Sequence, residues 1–162
     1  MSLSSRLNAF EHSPELVKKL QELSMAIAHS GHIDKSLSLL VDIRASQMNG
    51  CAFCLDMHVK EAKLHGEREL RLHHVAIWRE SALFTPKERA AFALTEALTR
   101  IAPAGLADDL YAQARDQFSE KELTTLVFRV MTINAWNRLN AAFRTAPGAL
   151  DKAYGLDKAG LN

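Results

Sequence analysis

Residues 119–144 read SEKELTTLVFRVMTINAWNRLNAAFR. Ser119 and Glu122 stand in the spacing at which each side chain satisfies the other's backbone N–H at a helix start. From there Leu123, Leu126, Val127, Val130, Ile133, Leu139 and Phe143 recur at three- and four-residue intervals, the period of a helix with an apolar face. No glycine or proline interrupts the run before Pro147-Gly148. The stretch is predicted to be one long helix reaching about Arg144, and its length makes it the natural central strut of a helical protein.

Working outward, Thr85-Pro86-Lys87-Glu88 repeats the capping box and adds proline at the first helical position. It opens a helix from Pro86 to Ile101, which Ala102-Pro103-Ala104-Gly105 breaks; a short helix follows over Ala107 to Gln117. Near the N-terminus, Ser13-Pro14-Glu15 is a further start signal, with Ser13 as N-cap. That helix runs to about His29 on an apolar stripe of Leu16, Leu20, Leu23 and Ile27. Asp34 caps the next, Lys35 to Asn49. A cysteine-bearing helix over Cys51 to Gly66 and another over Glu67 to Arg79 fill the middle of the chain. Residues 1–12 read as a polar, extended arm, and the last fourteen residues as a tail available to a neighbouring subunit. Two-residue alternation never outlasts a few positions, so no strand is expected. The expected fold is all-α: about seven helices in one bundle, a single domain with its core between residues 14 and 148.

The chain has 162 residues, 48% apolar and 24% charged, the composition of an ordinary globular protein. A formal net charge of +1, with acids and bases interspersed, leaves no lysine or arginine track for nucleic acid. The first residues lack a signal-peptide core and no segment approaches membrane-spanning length, so the expected compartment is the cytosol.

The chemistry concentrates in Gly50-Cys51-Ala52-Phe53-Cys54-Leu55-Asp56-Met57-His58, which holds both cysteines of the protein. On a helix, Cys51, Cys54 and His58 fall within about 60° of one another. Asn49-Gly50 is a break, so the thiols lie in a first turn, where free N–H groups and the helix dipole favour a thiolate. Three readings compete. Two cysteines and a histidine can be plain packing. Cys51 and Cys54 can chelate zinc, but there is no second CxxC, His58 lies about 10 Å along the axis from Cys51, and His65 or His74 would have to complete the tetrahedron. Or the pair is a redox dithiol, in which one thiolate attacks an electrophilic oxygen or sulfur and the other closes the disulfide, with His58 as base and proton conduit. The last needs a helical scaffold here, since no βαβ pattern surrounds the cysteines.

The run Arg44 to His58 closely resembles the signature of the AhpD-like alkylhydroperoxidases of the carboxymuconolactone decarboxylase superfamily. Trp78-Arg79-Glu80-Ser81, Phe84 to Ala90, Thr95 to Thr99 and Ile133 to Arg138 extend the resemblance over Pro14 to Gly148. It implies an all-α domain assembling as a dimer, trimer or hexamer. It also implies reduction of hydroperoxides with electrons from a dithiol donor, a lipoyl or thioredoxin-like protein, and neither cofactor nor metal. By motif, Cys54 would be the peroxidatic residue, Cys51 the proton donor and resolving residue, and His58 a member of the proton relay.

Two positions depart from that pattern. The relay glutamate expected twelve residues before the first cysteine is Leu39 here, and Phe53 replaces a histidine between the cysteines. Asp42, one turn after Leu39, and Glu61, seven residues beyond Cys54 and within about 20° of its face, are the candidate relay carboxylates. Trp136 is expected in the core or at a subunit interface rather than at a substrate. His73-His74 reads as a solvated pair. Asn134 and Asn137, on an otherwise apolar helix, need partners if buried. The rival function is a non-catalytic redox-sensing or metal-binding oligomer.

Overall fold

The computed structural model describes residues 4–161. Among them are nine α-helices and no β-strand, so the all-α expectation holds. In chain order these are α1 (Ala9–His12), α2 (Pro14–His29), α3 (Lys35–Asn49), α4 (Ala52–Leu64), α5 (Glu69–His74), α6 (Pro86–Thr99), α7 (Asp108–Gln117), α8 (Glu120–Phe143) and α9 (Asp151–Tyr154). The start signals that involve side chains act as read. Asp34 accepts from the Ser36 and Leu37 N–H groups, and Thr85 and Ser119 each form the complete reciprocal box with the glutamate three residues on.

The hub of the bundle is α3, not the longer α8. Helix α3 packs on α4, α6 and α8, and Leu37, Leu39, Leu40, Val41, Asp42, Ile43, Ala45 and Ser46 are all buried. A helix enclosed on every side loses the one-sided pattern that sequence reading relies on. One layer of core joins Leu37 and Val41 to Leu94, Leu126 and Val130; a second joins Leu39, Leu40 and Ile43 to Trp78, Phe84 and Phe92. Leu39 therefore stands in aromatic and aliphatic packing, while Asp42, three residues on, faces another way.

Several local expectations change. Residues 67–79 are not one helix: α5 gives way to a 3-10 turn over Val75–Glu80, with Ile77 outside helical dihedrals. Three residues per turn aligns Val75 with Trp78, and both bury into the aromatic layer. His74 is half-buried with Nδ1 3.0 Å from Ser81 Oγ, so only His73 is solvated. Ser13 makes no side-chain cap bond. The N-terminal arm is not extended throughout: Asn8 caps α1, and Arg6 is tied to the Ala142 and Phe143 carbonyls at the end of α8. On α2 only Val17 and Ile27 are buried, leaving Leu16 and Leu23 exposed. Helix α8, by contrast, ends where expected, with Arg144 as its C-cap, left-handed at φ 54°. Residues 1–3 of the arm and residue 162 of the tail lie outside the described residues.

The tail folds back on its own chain. A 3-10 turn over Leu156–Ala159 packs on α4, with Leu156 and Ala159 buried, and helix α9 packs on that turn. Lys60 of α4 clasps them: its Nζ lies 2.9 Å from Asp56 Oδ2 and 2.6 Å from Asp151 Oδ2, and the Gly148 N–H donates to Asp56. Lys60→Met keeps the stem and removes the charge that holds the two aspartates together. Limited proteolysis, read by mass spectrometry, is expected to cut between residues 144 and 161 about tenfold faster in Lys60→Met, as for a local opening easier by ~1.4 kcal/mol. Equal rates would show that apolar packing alone holds the tail.

Candidate active site

The link from α3 to α4 is two residues long. Gly50 adopts φ 63°, a left-handed conformation that glycine takes without strain, and the Cys51 N–H returns to the Ser46 carbonyl. This sharp reversal makes Cys51 the N-cap of α4, its Sγ accepting from the Cys54 N–H at 3.4 Å. Cys54 sits one turn on. Both thiols are free and buried, and their sulfurs lie 2.7 Å apart.

The two thiols are hydrogen-bonded to one another. The Cys54 thiol donating to Cys51, helped by the Cys54 backbone N–H and the Asn137 carboxamide, brings Cys51 down to about 7 against the opposing effect of burial. Cys54 is pushed above the ordinary thiol range, because it donates to Cys51, is itself buried and faces the charge on Cys51. The resting monoanion thus carries its charge on Cys51 and its proton on Cys54. Transfer of that proton across the short contact exchanges the two roles.

His58 is one turn beyond Cys54 and buried. Its Nδ1 lies 3.3 Å from Glu61 Oε2 and 3.6 Å from Asp42 Oδ2, so both carboxylates singled out in the sequence converge on one ring nitrogen. Glu61, an acceptor within hydrogen-bond distance, places a proton on Nδ1, with Asp42 a second negative charge nearby. Asp42, fully buried, is bound through both oxygens by Arg129 of α8, Nε to Oδ1 at 2.9 Å and the terminal nitrogen to Oδ2. Lys35 stands 3.5 Å from Glu61, and with His58 it holds the Glu61 carboxyl below its usual range in spite of burial. His58 forms no hydrogen bond to either sulfur among the described residues. No group of three or more histidine, cysteine, aspartate or glutamate side chains there is disposed to hold a metal ion.

A cavity of about 670 Å³ opens beside this array. Cys54 borders it, with Cys51 behind. Its apolar wall includes Phe53, Met57, Ile133 and Trp136, and the C-terminal segment adds Leu150, Tyr154 and Leu156. His58, Asp42, Glu61, Lys35 and Arg129 form a polar side of nearly balanced charge. Trp136 is half-buried and packs against the core cluster of Ala45, Cys51, Phe53, Cys54 and Ile133, as expected, and it also borders the cavity, its Nε1 donating to Ser24 Oγ at 3.0 Å. Asn134 and Asn137 are buried and satisfied. Both accept from Asn49 Nδ2 at 2.9 Å, Asn137 donates to Ser46 and Asn134 to Thr99. These carboxamides pin the end of α3, and with it the Gly50 turn, to α8.

The profile of the carboxymuconolactone decarboxylase family matches residues 14–97, from the start of α2 to the last turns of α6. The chain belongs to this family. The uncharacterised protein YdfG of Bacillus subtilis is 36% identical over 140 residues, 86% of this chain and 95% of its own length. A crystal structure from Agrobacterium tumefaciens, of a protein of unknown function proposed as the antioxidant defence protein AhpD, superposes with a TM-score of 0.86 at 36% identity. It covers 90% of this chain and 99% of that one. The debrominase Bmp8 shares the fold at 21% identity with a TM-score of 0.76, over 93% of this chain and 80% of its own. The protein is thus an AhpD-like member of the carboxymuconolactone decarboxylase family.

Within this family member, sequence reading missed Arg129 and Asn140. Both lie on the α8 stripe Arg129, Ile133, Trp136 and Asn140, spaced by four, three and four residues. That is a helical face with polar residues at both ends and apolar residues between, and all four border the cavity. The spacing was readable, but which neighbours it would meet was not.

Proposed function

We propose that this protein is a thiol-dependent peroxidase that reduces organic hydroperoxides through a Cys54/Cys51 dithiol–disulfide cycle. The observation that carries the reading is the pair of free sulfurs 2.7 Å apart at a helix N-terminus, of which Cys54 alone faces a cavity of about 670 Å³. Proton transfer from Cys54 to Cys51 puts the thiolate on the cavity side. Cys54 sulfur attacks the outer peroxide oxygen; the S–O bond forms, the O–O bond breaks, and the alkoxide takes the Cys51 proton to leave as an alcohol. The Cys51 thiolate then attacks the Cys54 sulfenic acid. The S–S bond forms and hydroxide leaves as water, with a proton delivered through His58 and its carboxylates.

Two electrons from an external dithiol, such as a lipoyl arm or a thioredoxin-like protein, restore the pair. Attack at the cavity-facing Cys54 expels Cys51, and a thiol of low pKa is the better leaving group. The cavity is of small-molecule size, which favours a bulky apolar hydroperoxide over hydrogen peroxide. Exposed Leu16, Leu23 and Met25 on α2, with Phe128 and Met131 on α8, support a homo-oligomer, a dimer, trimer or hexamer. No helix among the described residues is long and apolar enough to cross a membrane.

The test is peroxide consumption by reduced protein with dihydrolipoamide. Many turnovers are expected, with cumene hydroperoxide preferred over hydrogen peroxide by about tenfold or more in kcat/KM. Thiolate is the reactive form and its proton is lost near pH 7, so the rate rises as pH climbs through 7 and falls away below it. A single stoichiometric oxidation with a change in assembly size would replace catalysis with redox sensing. Thiols inert to peroxide and protected by zinc would replace it with metal binding.

A further inference from the structure

Asn140 is the last polar residue of the α8 stripe. It is buried, lies against the sulfur pair and borders the cavity. Its Nδ2 donates to the Trp136 carbonyl at 2.9 Å and stands 3.6 Å from Cys54 Sγ. The first contact orients the amide. A backbone carbonyl is an acceptor only, so the NH2 group and not the oxygen must occupy that side. A carboxamide nitrogen carries two N–H bonds. With one spent on Trp136, the other is left for the sulfur. The backbone around it is held as well: the Thr145 N–H returns to the Asn140 carbonyl where Arg144 turns left-handed. The donor is therefore positioned in advance of any reaction.

We infer that Asn140 is a further catalytic residue of this site, a fixed hydrogen-bond donor that stabilises negative charge on Cys54 when its proton has passed to Cys51. The inference rests on the peroxidase reading for its role in turnover, though the thiolate effect stands apart from it. The need for such a donor follows from the layout. The helix N-terminus serves Cys51, whose Sγ receives the Cys54 backbone N–H. His58 gives its Nδ1 to carboxylates. When Cys54 is the thiolate, the Cys51 thiol donates from behind and Asn140 donates from α8. Asn140 transfers no proton and is neither oxidised nor reduced; it lowers the cost of placing charge on the sulfur that meets the peroxide. Asn137, whose oxygen is bound to Asn49 and whose nitrogen donates to Ser46, also favours charge on the sulfurs through its carboxamide, but Asn140 is the one of the two that borders the cavity.

The experiment isolates one thiol. In a Cys51→Ser background, where serine keeps an N-cap acceptor, the Cys54 pKa is read from thiolate ultraviolet absorbance and from the pH dependence of iodoacetamide alkylation. Asn140→Ala is expected to raise that pKa by about one unit and to slow alkylation at neutral pH about tenfold, the scale of one hydrogen bond to a charged group. Asn140→Asp, of the same shape, is expected to raise it further by placing a like charge beside the thiolate. Helical circular dichroism and Tm identify any variant that fails to fold, and Asn140→Asp serves as the second probe if Asn140→Ala does. A pKa unmoved in both folded variants, or lowered in Asn140→Asp, overturns the inference. A raised pKa in a protein whose parent turns over no hydroperoxide leaves the donor role standing and removes the peroxidase reading instead.

Discussion

Cys54→Ser is expected to reduce hydroperoxide turnover by at least about 10³-fold, to the level of the protein-free reaction, because no other thiol among the described residues faces the cavity. Cys51→Ser is expected to behave differently. It consumes one equivalent of peroxide and stops, with a sulfenic acid at Cys54 that dimedone traps and intact mass records as one added oxygen. The contrast follows from position. Cys51 sits behind Cys54 as the N-cap of α4, where serine preserves the hydrogen bond to the Cys54 N–H. The charge that rests on Cys51 in the dithiol makes the opposite assignment the informative failure. If Cys54→Ser formed a trappable sulfenic acid while Cys51→Ser ignored peroxide, Cys51 would be the attacking sulfur and the proton transfer between them would play no part.

Arg129→Met is expected to destabilise the fold by about 3–5 kcal/mol, lowering Tm by about 10 °C. Asp42 has no exposed surface and Arg129 binds both its oxygens. Without Arg129 a carboxylate is left in the interior with only His58 near it. The double variant Asp42→Leu/Arg129→Met, which removes the charge together with its partner, is expected to recover most of the loss, since an unpaired buried charge costs more than an absent pair. Thermal melts of the two single variants and the double close the cycle. Arg129→Met as stable as wild type would mean that water reaches Asp42, and the account of how His58 is held would have to change.

Those two predictions rest on different kinds of legibility. The N-caps Asp34, Thr85 and Ser119, and the limits of α2, α3 and α8, were readable because the signals are local: a side chain bonding to an N–H two or three residues away. The dithiol was readable for the same reason. A CxxC at a helix start carries its own electrostatics, and the two-residue link with Gly50 left-handed realises it. The fold family was readable because its signature lies in one continuous run.

Contacts across the bundle were not. The long α8 looked like the strut, but α3 is the enclosed helix, and enclosure erases the periodicity that marks a helix in sequence. The site carboxylate could be narrowed to Asp42 by the family pattern and to Glu61 by helical angle, yet only the packing of α3 on α4 and α8 brings both to His58. Only that packing sets Arg129 against Asp42. Leu39, at the position of the missing glutamate, faces aromatic packing instead. The tail was free to meet any surface until Lys60 met Asp151. Asn140 is the plainest case: an asparagine near a helix end carries no signal of its own. It becomes a donor to Cys54 because α8 crosses the start of α4 at that turn, a distance of 86 residues in sequence and 3.6 Å in space. Hydrogen bonds within a turn are set by the order of residues, whereas those between helices are set by which faces the buried core forces together.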